Sequence, residues 1–205
     1  MQNIFTALIF ALLLTGCASA VNTTTSTVQA PEKHYTSIMT LVANIDADFS
    51  QLDSTTYEKY FKGKFNNLEQ SRYRSQMENA LFSALRENQV QVIGSSQVFK
   101  VNDSVGYSQF LKEVQKAGVD GILFVNRKYQ GITLTKTNDT NDANLYTEQD
   151  GTRVVFHSYL INPQTLKPVW YANTTASYDM AESTLARQLQ KKLKQQNYIN
   201  TPLVQ

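Results

Sequence analysis

The sequence has 205 residues and a formal net charge of +2, from 19 lysine and arginine residues against 17 aspartate and glutamate residues. This near balance argues against a strongly basic nucleic-acid-binding protein, so we expect no nucleic-acid partner. The single cysteine excludes an intramolecular disulfide bond and a cysteine-based cluster, and two histidines leave little for a histidine-based metal centre. We therefore predict no metal and no cofactor, and the length suits one folded domain.

The N-terminus carries the features of an export signal. The apolar run 4–14 is too short to cross a bilayer, which takes about 20 residues, but it has the length of a signal-peptide core. It ends in Leu14, Thr15, Gly16 and Cys17, a sequence that resembles the lipobox of bacterial lipoproteins. The resemblance implies cleavage before Cys17 and attachment of lipid to its thiol. We therefore predict a signal peptide over residues 1–16.

Residues 17–33 are predicted to form the lipidated cysteine and a flexible tether. From Ala18 to Lys33 the sequence is rich in threonine, serine, asparagine and alanine and has no hydrophobic periodicity. In lipoproteins an aspartate at the second mature position tends to cause retention at the inner membrane. Ala18 at that position therefore implies a lipid anchor in the outer membrane of a diderm bacterium. Residues 34–205 are then a domain that faces the periplasm, with the membrane as a partner through the anchor.

Strand and helix patterns alternate along residues 34–205. Apolar, β-branched runs predict five strands, with room for an extra strand near Tyr146, and the five are 35–45, 90–93, 122–125, 154–161 and 169–176. Helical spacing of apolar residues predicts helices over 69–87, from Tyr107 to Gly118 and over 180–196, the second of them capped by Asp103 or Ser104. A polar loop is predicted over 136–144. The order β-α-β-α-β-β-β-α predicts a single α/β domain, with helices packed on a mixed sheet of about five strands.

Two segments are similar to parts of known envelope lipoproteins. Residues 117–125 (AGVDGILFV) lead from a helix end into a buried strand, and residues 159–170 (YLINPQTLKPVW) read as a strand, a turn and a strand that bears tryptophan. Both resemble the periplasmic α/β domain of penicillin-binding-protein activators, the curli secretion-channel lipoprotein and related envelope lipoproteins. The resemblance implies a fold that binds proteins and brings no catalytic residues. We therefore predict a non-enzymatic protein-interaction or envelope-assembly module with an envelope protein as its partner.

Two segments are candidate interaction surfaces. In the first, aromatic residues alternate with lysines in a pattern that suits a glycan, an anionic lipid surface or a partner protein, but also a short helix packed on the core: Tyr57, Tyr60, Phe61, Lys62, Lys64 and Phe65. In the second, the last helix carries basic residues that form either an interaction face or an ordinary solvated face: Arg187, Lys191, Lys192 and Lys194. A glycan- or lipid-binding module that uses 57–65 is therefore an alternative function.

Catalytic motifs are scarce in this sequence. It contains no glycine-rich phosphate loop, no dinucleotide fingerprint and no Gly-x-Ser-x-Gly elbow. Asp46 and Asp48 share a face only if the first strand continues through them, and they could then act as an acid–base pair or bind a divalent cation. His157 lies within an apolar strand, which favours a half-buried structural histidine with one hydrogen bond over a catalytic one. We predict that the protein is not an enzyme, and a hydrolase that uses Asp46, Asp48 or His157 is the further alternative.

Overall fold

The computed structural model describes residues 21–31, 33–48, 50–129, 135–136, 146–147, 153–177 and 180–200. The predicted signal and anchor residues Leu14, Thr15, Gly16 and Cys17 lie outside the described residues, and so does 137–144 of the predicted polar loop. Within the described ranges, no helix is long and apolar enough to cross a membrane.

Strands and helices alternate along the described chain. The strands are β1 (Asn22–Thr27), β2 (Ser37–Ala43), β3 (Gln91–Gly94), β4 (Gly121–Tyr129), β5 (Thr135–Lys136), β6 (Tyr146–Thr147), β7 (Arg153–Ile161) and β8 (Pro168–Ser177). The helices are α1 (Ser54–Thr56), which continues into a π-helical turn (Tyr57–Phe61), α2 (Ser71–Arg86), α3 (Ser95–Val98), α4 (Tyr107–Ala117) and α5 (Glu182–Gln195). The five predicted strands and three predicted helices are all present. Their ends differ by up to two residues from the predictions, except that β4 continues four residues beyond its predicted end, to Tyr129.

Six of the described strands form one mixed sheet in the order β1-β8-β7-β4-β2-β3. Strand β2 pairs in parallel with β3 and β4, whereas β4 with β7, β7 with β8 and β8 with β1 are antiparallel pairs. The short strands β5 and β6 pair with each other in a separate ladder. The predicted α/β class and mixed sheet are confirmed, with six strands in the sheet rather than about five.

The sixth strand, β1, lies in the segment that the sequence assigns to the tether. Its residues, NTTTST, are uncharged, and their side chains are half-buried or exposed, so no apolar periodicity marks the strand. It is held by its pairing with β8 and by side-chain contacts: the hydroxyl oxygens of Thr23 and Thr174 lie 3.0 Å apart, and Gln196 Nε2 donates to Thr25 Oγ1 at 3.1 Å. Residues 22–27 of the predicted tether are therefore part of the sheet.

The core lies in two layers, one on each face of the sheet. Helices α2 and α5 pack on one face, where Trp170 is fully buried among apolar residues of both helices. Helix α4 and the π-helical turn pack on the other face, over the strands β2 and β4. Strand β4 supplies both layers, because residues 122–125 are completely buried and alternate between the faces, as the sequence predicts for a central strand.

The ends of helix α4 show one correct and one incorrect capping prediction. Gly118 adopts a left-handed conformation with φ of 63° and ends the helix, as predicted. At the other end, Gly106 occupies the N-cap position in place of Asp103 or Ser104. The helix therefore begins without a side-chain cap. Glu58 compensates in part, because its carboxylate accepts a hydrogen bond from the backbone N–H of Tyr107 at 3.1 Å.

Candidate functional site

Hydrogen bonds to its backbone groups hold the chain that follows β2 against the sheet. Asn126, buried on β4, accepts a hydrogen bond from Ile45 N and donates one to Ile45 O, both at 2.9 Å. Further along, Leu52 N donates to Leu166 O at 2.8 Å, in the turn between β7 and β8. These contacts bring the acidic residues that follow Ile45 over the neighbouring strands β4 and β7.

Asp48 lies at the centre of a cluster of polar side chains. Its Oδ1 atom accepts hydrogen bonds from Lys128 Nζ at 3.2 Å and from the hydroxyl of Tyr159 at 3.1 Å. The same oxygen lies 3.1 Å from Nδ1 of His157, and the hydroxyl of Tyr171 lies 3.0 Å from that nitrogen. We call these five residues, Asp48, Lys128, His157, Tyr159 and Tyr171, the Asp48 cluster.

The environment of the Asp48 cluster shifts the pKa values of its members. Partial burial opposes the ionisation of Asp48, but the hydrogen bond from Lys128 and the charges of His157 and Lys128 together outweigh it and lower the pKa of Asp48. Burial lowers the pKa of His157, and the charge of Asp48 offsets only part of this effect. Burial, assisted by Asp48, raises the pKa of both Tyr159 and Tyr171. At neutral pH the cluster therefore holds an ionised Asp48, a neutral His157 and two protonated tyrosines.

The structure brings together two of the three residues named in the catalytic alternative. Asp48 contacts His157, but the carboxylate of Asp46 is fully exposed, and its Oδ1 lies 4.0 Å from Lys128 Nζ. The two aspartates do not share a strand face, because β2 ends at Ala43 and both residues follow it. His157 is half-buried, as the sequence predicts, but its ring has two partners rather than one.

Sequence reasoning missed the other members of the cluster, although one signal points to Tyr159. Because side chains alternate along a strand, Tyr159 lies on the same face of β7 as His157. Lys128 and Tyr171 lie on the neighbouring strands β4 and β8, so their proximity depends on the strand order. Within the described part of the chain, no group of three or more histidine, cysteine, aspartate or glutamate residues is placed to hold a metal ion.

Next to the Asp48 cluster, strands β8 and β1 present uncharged polar side chains to solvent. Residues 171, 173 and 175 of β8 are half-buried, whereas the alternate residues 172, 174 and 176 face the core and are buried. In the pairing with β1, Ser26 lies opposite Tyr171 and Thr24 lies opposite Asn173, and both β1 residues are exposed. We call this surface the open strip, and it consists of Thr24, Ser26, Tyr171, Asn173 and Thr175.

The aromatic rings of the segment 57–65 belong largely to the core. Tyr57, Phe61 and Phe65 are at most 1% exposed. The ring centroid of Tyr57 lies 4.9 Å from that of Phe110, and its hydroxyl donates to Val105 O at 2.9 Å. The prediction that these three rings bind a glycan or a lipid surface is wrong, because they are not accessible to an external ligand. The alternative of a short helix packed on the core is confirmed.

The remaining residues of the two candidate surfaces lie at least partly in solvent. Lys62 and Lys64 are exposed and Tyr60 is half-buried, with Lys62 paired to Glu58 at 2.7 Å. On α5, Arg187 and Lys191 are exposed and Lys192 and Lys194 are half-buried, on a helix whose apolar residues pack on the sheet. Their part in an interaction stays a prediction.

Two adjoining grooves lie at the other end of the sheet, near the turn between β7 and β8. Their volumes are about 350 and 380 Å³. Four residues line both grooves: Lys33, Tyr35, Asn162 and Gln164. Neither the Asp48 cluster nor the predicted interaction residues line them, so the geometry does not connect these grooves with the predicted sites.

Comparison with known proteins gives matches among solved structures. No protein-family model and no curated protein matches the sequence. Two structures of PelC dodecamers from Paraburkholderia phytofirmans match with a TM-score of 0.43 each. For a point variant of PelC the identity is 11% over 85% of this chain and 96% of that chain, and for the second structure it is 12% over 86% and 97%. These values assign the chain to no family.

Proposed function

We propose that the chain is a lipid-anchored protein of the bacterial outer membrane, with an α/β domain that acts as a non-enzymatic protein-interaction module in the periplasm. The apolar run that ends at Cys17 supports the anchor, and the resemblance of residues 117–125 and 159–170 to envelope lipoproteins supports the location. Labelling with radioactive palmitate tests the anchor. The wild type incorporates the label and Cys17→Ala does not, whereas labelling of both proteins or of neither contradicts the proposal.

The open strip is the observation that carries the interaction role. It combines a tyrosine ring with hydroxyl and amide groups, and tyrosine is enriched at the centres of protein interfaces. Contact with His157 holds the ring of Tyr171 in place, so little side-chain entropy is lost when a partner binds there. The open strip contains no charged side chain, so we expect the complex to persist when the salt concentration is raised.

Photo-crosslinking in the source bacterium tests this role. A benzoylphenylalanine residue is placed at Thr175 in the open strip, and a matched control places it at Ser183, an exposed residue of α5. We expect irradiation to give a discrete adduct with one envelope protein from Thr175 and not from Ser183. Absence of an adduct at Thr175, or the same adducts from both positions, contradicts an interface at the open strip.

A hydrolase is the second candidate, and the contact between Asp48 and His157 favours it. A carboxylate that holds Nδ1 of a neutral histidine leaves Nε2 free to act as a general base. However, the hydroxyl beside this histidine is that of Tyr171, and it contacts Nδ1 rather than Nε2. Burial also raises the pKa of Tyr171 and opposes its ionisation as a nucleophile. The interaction role is therefore better supported.

Substitution of His157 distinguishes the two candidates. In His157→Gln the base is lost while the side chains of the open strip all remain, although Tyr171 loses its contact with the imidazole ring. If the protein is an interaction module, the variant keeps its function in cells when the Thr175 adduct is retained and loses that function when the adduct is lost. A variant that keeps the full adduct and still loses cellular function indicates an enzyme.

A further inference from the structure

Strand β1 fixes which end of the sheet lies near the N-terminal segment. Asn22 pairs with Thr175 near the end of β8, whereas Thr27 pairs with Trp170 near its start. Strand β8 runs in the same direction as β4 because both are antiparallel to β7, and β4 is parallel to β2 and β3. Strand β1 therefore begins at the end of the sheet where β2, β3, β4 and β8 finish. We call this the carboxyl end.

The chain between the proposed anchor and β1 is short. Cys17 and Asn22 are five positions apart, so even a fully extended chain places them within about 18 Å of each other. The opposite end of the sheet, where Val28 follows β1, lies about 20 Å further along the strand. A lipid attached to Cys17 therefore holds the carboxyl end closer to the bilayer than the opposite end.

Two exposed apolar side chains lie at the carboxyl end. Strand β3 finishes there, and helix α3 and Val101 follow it directly; the side chain of Val101 is 44% exposed. Leu68, which is 61% exposed, belongs to an adjoining loop, because its backbone N–H donates to Asn102 Oδ1 at 2.9 Å. Asn66 joins the two loops further, since its Nδ2 donates to Lys100 O at 2.9 Å and to Asp103 O at 2.7 Å.

The charges around this apolar pair nearly cancel. The exposed charged residues nearby in the sequence are three cations, Lys64, Arg72 and Lys100, and two anions, Glu69 and Asp103. With so small a net charge, a contact with a membrane at this place depends mainly on the apolar side chains rather than on anionic lipids. Transfer of leucine and valine side chains from water to the boundary between headgroups and acyl chains lowers the free energy.

From these observations we infer that the carboxyl end of the sheet rests on the bilayer surface, and that Leu68 and Val101 insert among the lipid headgroups. This inference rests on the proposed lipid anchor at Cys17. It adds a second membrane contact, which orients the domain. The strands of the open strip then run away from the membrane surface, and their exposed side chains face parallel to the membrane plane. A partner then reaches the open strip from the side rather than from above.

Fluorescence quenching on vesicles tests this orientation. Cys17 is the single cysteine of the chain, so protein that begins at Cys17 and carries no acyl groups can be coupled through its thiol to a maleimide phospholipid. The vesicles consist of phosphatidylcholine with a nitroxide at a shallow acyl position. In Leu68→Trp we expect a loss of indole emission on these vesicles, after subtraction of the emission of Trp170 measured with the parent protein.

The matched control is Val28→Trp at the opposite end of the sheet, where the native side chain is 62% exposed. We expect its emission to be unchanged by the nitroxide lipid. Equal quenching of the two variants, or stronger quenching of Val28→Trp, overturns the orientation. Quenching of Leu68→Trp that requires added phosphatidylglycerol overturns the apolar basis of the contact. Because the anchor is supplied chemically, these outcomes are independent of the palmitate experiment, which tests the anchor itself.

Discussion

Oδ1 of Asp48 lies 3.1 Å from Nδ1 of His157, although one residue belongs to the chain after β2 and the other to the middle of β7. Asn126 on β4 explains this proximity. It is the cross-strand neighbour of His157, and its side-chain amide binds both backbone polar groups of Ile45. One position of the central strand therefore aligns the histidine and also holds the chain that carries the aspartate.

Asp48→Asn is expected to lower the pKa of His157. Burial already lowers this pKa, and the charge of Asp48 offsets part of that effect, so removal of the charge leaves the desolvation of the imidazolium less compensated. An NMR titration of the histidine ring protons measures the change. The signal of His34 does not interfere with the assignment, because the two histidines are distinguished by the variant His157→Gln.

Asp46→Asn is the matched control for this titration. Its carboxylate is fully exposed and lies 4.0 Å from Lys128, so the loss of its charge is screened by water. We expect a clearly smaller change in the pKa of His157 than in Asp48→Asn. An unchanged or raised pKa in Asp48→Asn contradicts the contact between Asp48 and His157.

The half-buried His157 is also expected to make the fold less stable at mildly acidic pH. Because the folded-state pKa of His157 lies below its ordinary value of 6.5, the unfolded chain binds the proton more readily than the folded chain. The free energy of unfolding therefore falls as the pH drops below about 6.5. Asp48 acts in a lower window: its lowered pKa stabilises the fold above about pH 4, and this contribution is lost as the pH falls through the folded-state value.

Urea unfolding of the wild type and His157→Gln measures this effect. Between about pH 7.5 and about pH 5, we expect the wild type to lose stability more steeply than the variant, because glutamine does not titrate. His34 is present in both proteins, so its contribution cancels in the comparison. Parallel losses over this range contradict a half-buried His157 that is neutral in the folded state.

The sequence predicts those strands and helices whose buried side chains produce an apolar run or a regular apolar spacing. The run 122–125 is apolar throughout because β4 is covered on both faces, and the spacing of Met77, Leu81 and Leu85 follows the buried side of α2. Strand β1 shows no such pattern. Its side chains contribute little to the core, and the strand exists because its backbone pairs with β8, which a local pattern does not record.

The candidate site was predictable only in part, for a similar reason. Asp48 and His157 are recognisable as titratable residues, but their contact depends on the order of the strands and on the bond between Asn126 and Ile45. The aromatic segment 57–65 shows the opposite case. Its rings at positions 57, 61 and 65 recur every four residues, which suits one buried side of a helix, and the interleaved lysines occupy the solvent side.

Tyr57→Ala is expected to lower the free energy of unfolding by about 3–5 kcal/mol, as for other large aromatic side chains removed from a core. Tyr57→Phe keeps the ring and removes the hydrogen bond to Val105 O, which costs about 0.5–1.5 kcal/mol. Lys64→Ala, an exposed position in the same segment, serves as the control and changes the stability by about 0.5 kcal/mol or less. Chemical denaturation measures all three values. A loss in Tyr57→Ala as small as that of the control would mean that the ring is exposed.

Asn126→Ala is expected to release the chain that carries Asp48. The variant leaves the N–H and C=O groups of Ile45 without their partner, at a cost of about 1–3 kcal/mol for each buried group. The pKa of His157 should also fall, as in Asp48→Asn, because the carboxylate moves away. Asn173→Ala is the control, since Asn173 is the neighbour of His157 on its other side, in β8. If both variants leave the titration of His157 unchanged, Asn126 does not position Asp48.

Paired cysteines test whether residues 22–27 form a strand or a tether. Thr23 and Thr174 are cross-strand partners with hydroxyl oxygens 3.0 Å apart, so Thr23→Cys with Thr174→Cys is expected to form a disulfide bond on oxidation. The control pairs Thr25→Cys with Thr174→Cys. Thr25 lies opposite Ala172, which puts residues 25 and 174 on a diagonal of about 7–8 Å, too far apart for a disulfide. Both pairs are made in Cys17→Ala and read on a non-reducing gel. If residues 22–27 form strand β1, only the first pair forms a disulfide bond. A flexible tether would allow both pairs to form one, so disulfide bonds in both pairs contradict the strand.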